Sequence, residues 1–210
     1  MNLQNPDNLV IDNENACALA RTIIVRGGCI GFKTDTFYGL GVDPLNSEAV
    51  ARLKEIKGRD DGKPILLLIS DIEVLDRFIR DRSESFDSIV EKFWPGPLTV
   101  IGYAASEVPV EITAGTGTVG VRLPDNEAVR ALARACGGAL TATSANPAGL
   151  PPATSAAEVH TYFGATLNLI IDGGAVEVTA PSTVVDTTKT PPTIIREGLI
   201  KGEDLLKSLH

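Results

Sequence analysis

Six short stretches of this 210-residue chain carry hydroxyls, amides or cations that core packing does not require. The first, IGFKTDTFYGLG (30–41), opens as an apolar run and turns into Thr34, Asp35, Thr36 and Tyr38, followed by Gly39 and Gly41. Compact hydroxyls beside one carboxylate can recognise a small polar molecule, and the glycines would let the backbone turn or come close to it. The same Asp and Thr can instead close a turn on their own backbone. The second, KGRDDGKP, sets Lys57 and Arg59 one residue apart on a glycine-rich acidic turn. Two cations so spaced suit polyphosphate oxygens, although Lys57 also complements the dipole at the end of a helix. The third, TATSANPAGLPPAT, ends a strand in Ser144 and Asn146, uncharged donors and acceptors ahead of a proline-rich loop that leads to a helix. The fourth, PSTVVD, sets Ser182 and Thr183 before a strand, and the fifth, IIREG, sets Arg196 after one. The sixth, VGVRLP, holds Arg122 inside an apolar strand. A buried guanidinium there needs a carboxylate, from the protein or from a ligand.

One motif does not carry the chemistry its spelling suggests. GTGTVG (115–120) matches G-x-G-x-x-G, but it runs into the strand pattern of VGVRLP where a dinucleotide site needs a helix. It is expected to be a flexible loop at the rim of a cleft. The pattern G-x-x-x-x-G-K-[ST] is absent, so a nucleotide site here must use side-chain cations.

Positioning these groups requires strands that end together, because ligands in open α/β sheets sit at the carboxyl ends of strands. Helical and strand patterns alternate almost to the end of the chain. Ala16, Leu19, Ala20 and Ile23 form one helical stripe capped near Gly27. Asn46 or Ser47 starts a helix bearing Val50, Leu53 and Ile56, and PILLLIS reads as a strand covered on both faces. Further helices are expected around 72–80, 85–93, 126–136 and 155–163, with Asp125 or Asn126 as a cap. Strands are expected at 29–32 and around 98–104, 119–123, 139–143, 167–171, 183–187 and 193–196, and a short amphipathic helix in KGEDLLKSLH. The predicted class is α/β: one domain over 1–210, with a twisted, largely covered, mixed β-sheet and flanking helices.

Composition narrows the function. Hydrophobic residues make up 43% and charged residues 22%, an ordinary globular balance. No apolar run approaches the ~20 residues of a membrane helix, and the polar N-terminus has no leader pattern. Three cysteines without C-x-x-C and two histidines argue against a disulfide framework or a protein-held zinc, and fit a reducing cytoplasm. A net charge of −8 argues against a broad nucleic-acid surface, though a local positive cleft is compatible with it.

Together the six clusters resemble the YrdC family, the threonylcarbamoyl-AMP synthases. KTDTFYGLG is similar to that family's [PT]-T-[DE]-T-x-Y-G-L-G opening, and KGR and SAN to its K-x-R and S-x-N pair. FWPGPLT (93–99), VGVRLP, PSTVVD and IIREG resemble family segments in family order, so the likeness spans about residues 12–200. Two departures stand out: Lys33 replaces the usual proline before Thr34, and REG replaces the commoner R-P-G. The length resembles the short, single-domain form.

The resemblance implies a cytoplasmic enzyme with a deep positive cleft. It would make threonylcarbamoyl-AMP and pyrophosphate from L-threonine, bicarbonate or CO2, and ATP. A partner threonylcarbamoyl transferase would pass the group to tRNA, with direct tRNA contact by this chain left open. Thr34, Arg122 and Ser182 would bind threonine. Lys57 and Arg59 would be catalytic and face the phosphates. Thr118, Ser144, Asn146 and Arg196 would hold the nucleotide, and Mg2+ would come with ATP, with no metal ligand from the protein. No dedicated general base stands out, and closure of the 111–118 loop would exclude water. Two rivals are weaker. A carbamoyl-transferring domain of a hydrogenase maturation factor would come in a longer chain with C-x-x-C motifs. A double-stranded-RNA-binding YrdC-like protein without synthase activity would lack the full K-x-R and S-x-N set, and a pI near 4.8 does not favour it.

Overall fold

The computed structural model describes residues 8–58, 62–177 and 180–207. Its elements run β1 (Leu9–Ile11), α1 (Glu14–Val25), β2 (Ile30–Lys33), β3 (Tyr38–Gly41), α2 (Ser47–Ile56) and β4 (Leu67–Ile69). A 3-10 helix (Ile72–Arg77) leads to β5 (Ile79–Arg80), α3 (Glu84–Phe93), β6 (Leu98–Ala104), α4 (Val110–Thr113), β7 (Thr118–Arg122) and α5 (Glu127–Ala135). Then come β8 (Ala139–Thr141), β9 (Thr143–Ser144), α6 (Ala156–Phe163), β10 (Leu169–Asp172), β11 (Thr183–Asp186), β12 (Thr193–Arg196) and α7 (Gly202–Lys207).

Local chemistry sets the helix starts. Asn13, Asn46, Ser83, Asn126 and Ser155 each accept from a backbone N–H three residues on. Such caps contribute about 1 kcal/mol each. Gly27 ends α1 with φ +74°, and its N–H and that of Gly28 return to the carbonyls of Ile24 and Ile23. The buried stripe of α1 is Ala16, Ala20 and Ile24, whereas Leu19 is 42% exposed. The stripe predicted through Leu19 is therefore rotated on the helix, because α1 lays its small residues on β2 and β10. The helix expected over 72–80 is a six-residue 3-10 helix followed by β5. β1, β3, β5 and α4 were not expected, and the strand expected around 139–143 is two, β8 and β9.

The mixed sheet expected from the alternation is divided in two. One sheet has the order β1-β10-β2-β3-β9; the other has β12-β11-β6-β7-β4-β8, with β5 also paired on β6. Both mix parallel and antiparallel pairs. The division falls at Ala142. Before it β8 runs antiparallel to β4; after it β9 runs antiparallel to β3. A core cluster seals the two sheets together. Ala16, Ala20 and Ile24 of α1 and Val129 and Leu132 of α5 cover Ile30 and Phe32 of one sheet and Leu68 and Leu140 of the other. Each such large side chain contributes about 1.5–3 kcal/mol on burial.

β3 gives its two glycines different reasons. A Cβ at Gly41 would come 2.7 Å from the Phe32 ring and 3.2 Å from the Thr141 carbonyl. Gly41 is thus needed for strands to approach each other. Gly39 keeps the expected proximity to a ligand site, since it lines the cavity described next. The GTGTVG segment passes through left-handed Ala114, Gly115 and Gly117 straight into β7, as expected of a loop that is not a dinucleotide turn.

Candidate functional site

Where the two sheets meet, the described residues line a cavity of about 680 Å3, within the range of small-molecule sites. The turn between β2 and β3 supplies Thr34, Thr36 and Tyr38. β6, β7 and β11 supply Thr99, Arg122 and the flank of Ser182. Alternation on the strands puts Thr99 and Ile101 of β6, and Gly120 and Arg122 of β7, on the same face. The charged side chains among these walls are Arg122 and Arg196, both cationic, in a chain of net charge −8. An anion entering here meets two guanidinium groups.

Arg122 is 2% exposed. Its Nε donates to the Gly96 carbonyl at 2.9 Å and its Nη1 to Thr36 Oγ1 at 3.4 Å, while Nη2 forms an ion pair with Asp35. The carboxylate that a buried arginine requires is thus the protein's own. Burial pulls the Arg122 pKa below its ordinary value, Asp35 works against that shift, and the nearby Arg196 cation adds to it. A guanidinium has five N–H donors. Three are committed here, which leaves two for a ligand.

Thr34 serves the turn and the cavity wall together. Its hydroxyl donates to the Phe37 carbonyl at 2.6 Å and accepts from the N–H groups of Thr36 and Phe37. It therefore closes the local turn that the sequence left as one of two roles, and its buried side chain still faces the cavity.

Lys57 caps α2 and is 5% exposed. Its ammonium donates to Thr143 Oγ1 at 3.1 Å and to the Ser144 carbonyl. This brings the lysine of KGR against the serine of SAN from a distant part of the chain. Ser144 lines the cavity, with Lys57 behind it; Arg59 lies outside the described residues. Asn146 is not among the lining residues. Its side chain accepts from Ser144 Oγ and donates to the carbonyls of Pro147 and Leu150, fixing the proline-rich loop. Thr118 is also absent from the walls; its hydroxyl pairs with Thr116 Oγ1 at 2.9 Å within the glycine loop.

Ser182 and Arg196 are brought together. Arg196 donates through Nε and Nη2 to the Ser182 carbonyl, and through Nη2 to Ser182 Oγ at 3.2 Å. Ser182 Oγ lies 3.1 Å from Thr99 Oγ1. A Cβ at Gly198 would fall 2.2 Å from the Pro181 carbonyl, so REG closes tightly on this segment. Lys33, which stands where the family usually has a proline, points its ammonium at the Gly173 and Ala175 carbonyls and holds the segment just after β10.

Asp35, Thr36 and Thr99 belong to the site although none was assigned a role. Asp35 and Thr36 stood inside a quoted motif; Thr99 carried no signal beyond the end of FWPGPLT. Among the described residues no three of His, Cys, Asp and Glu gather as a metal cage, and no helix is long and apolar enough to cross a membrane.

Comparison with known proteins agrees with this geometry. The Sua5_yciO_yrdC model, described as telomere recombination, matches residues 22–198. The threonylcarbamoyl-AMP synthase of Thiobacillus denitrificans is 40% identical over 161 residues, covering 77% of this chain and 85% of that protein. That of Pyrococcus abyssi is 36% identical over 189 residues, covering 90% of this chain, which spans 56% of that longer protein. The crystal structure of P. abyssi Sua5 complexed with L-threonine superposes with a TM-score of 0.90 at 35% identity, over 96% of this chain and 59% of that one. Motif order, a two-sheet cavity and sequence identity lead to one conclusion: this chain belongs to the Sua5/YciO/YrdC family.

Proposed function

We propose that this chain is a threonylcarbamoyl-AMP synthase of the cytoplasm, forming threonylcarbamoyl-AMP and pyrophosphate from L-threonine, bicarbonate or CO2, and ATP. The observation that carries the reading is the cavity between the sheets, with two arginines and a set of buried hydroxyls on its walls. Such walls suit a small amino acid with a carboxylate and a hydroxyl, beside an anionic nucleotide. The relatives named for this activity support it, as does the P. abyssi protein's complex with L-threonine.

In this reading threonine's carboxylate takes the two remaining N–H groups of Arg122, and Thr34 and Ser182 line the pocket for its hydroxyl. The threonine amine, once it has lost a proton, attacks CO2 and becomes a carbamate. A carbamate oxygen then attacks the α-phosphorus of ATP, and the bond to the pyrophosphate oxygen breaks. Nucleophile and electrophile are both anionic, so the site must hold them in line and neutralise them. Arg196, Lys57 and Arg59 supply positive charge toward the nucleotide side, and Ser144, Asn146 and Thr118 complete that side. Mg2+ enters bound to ATP as part of the substrate and neutralises phosphate charge. The 111–118 loop closes over the site and excludes water. A partner transferase then carries the threonylcarbamoyl group to tRNA.

The test is pyrophosphate release from purified protein with MgATP. Release that requires threonine and bicarbonate together supports the assignment. Release indifferent to threonine, or none with all three present, removes it.

A further inference from the structure

Thr99 and Ser182 form a hydroxyl pair whose hydrogen count does not close. Both line the cavity and both are nearly sealed, at 4% and 3% exposure. Their oxygens lie 3.1 Å apart. Ser182 Oγ also accepts from Arg196 Nη2, a group that can only donate. Two hydroxyls carry two hydrogens, and one hydrogen serves the contact between them. Ser182 Oγ already has a donor in Arg196, so its own hydrogen goes to Thr99 Oγ1, and the Thr99 hydroxyl hydrogen has no acceptor among the hydrogen bonds of the described residues. Buried hydroxyls normally find an acceptor. The cavity is where this one can be found.

The surroundings say which acceptor fits. In the β6–β7 ladder Val100 stands opposite Val121, and one step on puts Thr99 beside Arg122. Directly opposed residues on antiparallel strands are close neighbours on the same face. The uncommitted hydroxyl therefore sits next to the guanidinium that keeps two N–H groups free. An N–H fork with an O–H beside it is a donor set for a carboxylate. Gly120 leaves room for the Thr99 methyl, since a Cβ there would come within 3.1 Å of Thr99 Cγ2.

We propose that the Thr99–Ser182 pair donates a hydrogen bond to the carboxylate of the substrate amino acid beside Arg122, making Thr99 a substrate-binding residue. This rests on the synthase reading and adds a residue to its amino-acid pocket.

The experiment is calorimetric binding of L-threonine and of L-threoninol, its analogue without the carboxylate, to wild type, Thr99→Val, Thr99→Ser and Arg122→Lys. Thr99→Val keeps the shape and removes the donor. It should weaken L-threonine by about 10- to 100-fold, leave L-threoninol unchanged, and leave the KM for ATP unchanged. Thr99→Ser keeps the hydroxyl and should bind as wild type does. Should Thr99→Val be unstable, Thr99→Ala, which also lacks a donor, gives the same readout. Unchanged L-threonine affinity in the valine or alanine variant overturns the proposal, and so does an equal loss for both ligands. If wild type fails to bind L-threonine, or Arg122→Lys binds it normally, the synthase reading itself falls and this assignment with it.

Discussion

Asp35→Asn isolates the charge of the carboxylate that faces Arg122, because it keeps the side-chain shape and an acceptor oxygen. Arg122 is 2% exposed, and its other acceptors, the Gly96 carbonyl and Thr36 Oγ1, are neutral. Removing one partner of a fully buried ion pair costs about 3–5 kcal/mol. Two features reduce that figure here. The Asp35 side chain is 14% exposed, and the asparagine oxygen can still accept. A hydrogen bond to a charged group is worth about 1.5–3 kcal/mol against about 1 for a neutral one. The expected loss is therefore about 1–3 kcal/mol. For a chain of this size that lowers the melting temperature by about 2–4 °C per kcal/mol. Urea and thermal unfolding at neutral pH measure it, and a double-mutant cycle with Arg122→Met separates the pair from its surroundings. A variant as stable as wild type, or losses that simply add in the double mutant, would refute the idea that Asp35 compensates Arg122.

Lys57→Ala should lose pyrophosphate release by about 10- to 100-fold, and should also loosen the Ser144 strand, seen as lost amide protection at Thr143 and Ser144, because the ammonium bonds both residues. Among amino acids, serine should be the nearest competitor of threonine, at a cost of about 1–3 kcal/mol for the missing methyl, and valine should fare far worse for want of the hydroxyl; adenylate formation with each one decides. Stability should fall as pH rises from about 9 toward 12. Burial holds Cys29 and Cys136 protonated up to about 12 and Tyr38 likewise, whereas the unfolded thiols and phenol ionise near 9 and 10. The stabilisation is thus complete below pH 9 and is lost above it, which urea titrations at stepped pH would follow; flat stability up to pH 12 would contradict it.

The helices and the long strands were legible because their signals are local. Asparagine and serine caps, a glycine stop after α1 and the apolar run of β4 each depend on neighbours in sequence. β3 was not legible. Its sequence, YGLG, has two glycines that read as a turn, and only the approach of Phe32 and Thr141 shows why they are needed in a strand. The division into two sheets was hidden for a related reason, since a single residue, Ala142, separates strands that pair with different partners. At the site, the motifs named Thr34, Arg122, Ser144, Ser182 and Arg196, which line the cavity, and also Asn146 and Thr118, which do not, and they gave none of the contacts between them. That Arg122 would meet a carboxylate followed from its apolar setting. That the carboxylate would be Asp35 depended on a fold that brings residues 35 and 122 together. Thr99 carried no mark beyond closing FWPGPLT, as its place on the cavity wall comes from the register of β6 beside β7.

The junction at Ala142 has a consequence for how the molecule breathes. The walls of the cavity belong to two separate hydrogen-bond ladders, so parting the sheets would strip an occupant of contacts on one side. An occupant is then a rivet between two plates, and its binding energy adds to the work of separating them. At a ligand concentration 100 times the Kd that added work is about 2.7 kcal/mol. Amide exchange in β3 and in β6 and β7 would slow by the same factor, as though the two ladders had become one cooperative unit. The distant edge β1 would go on fraying at its own pace.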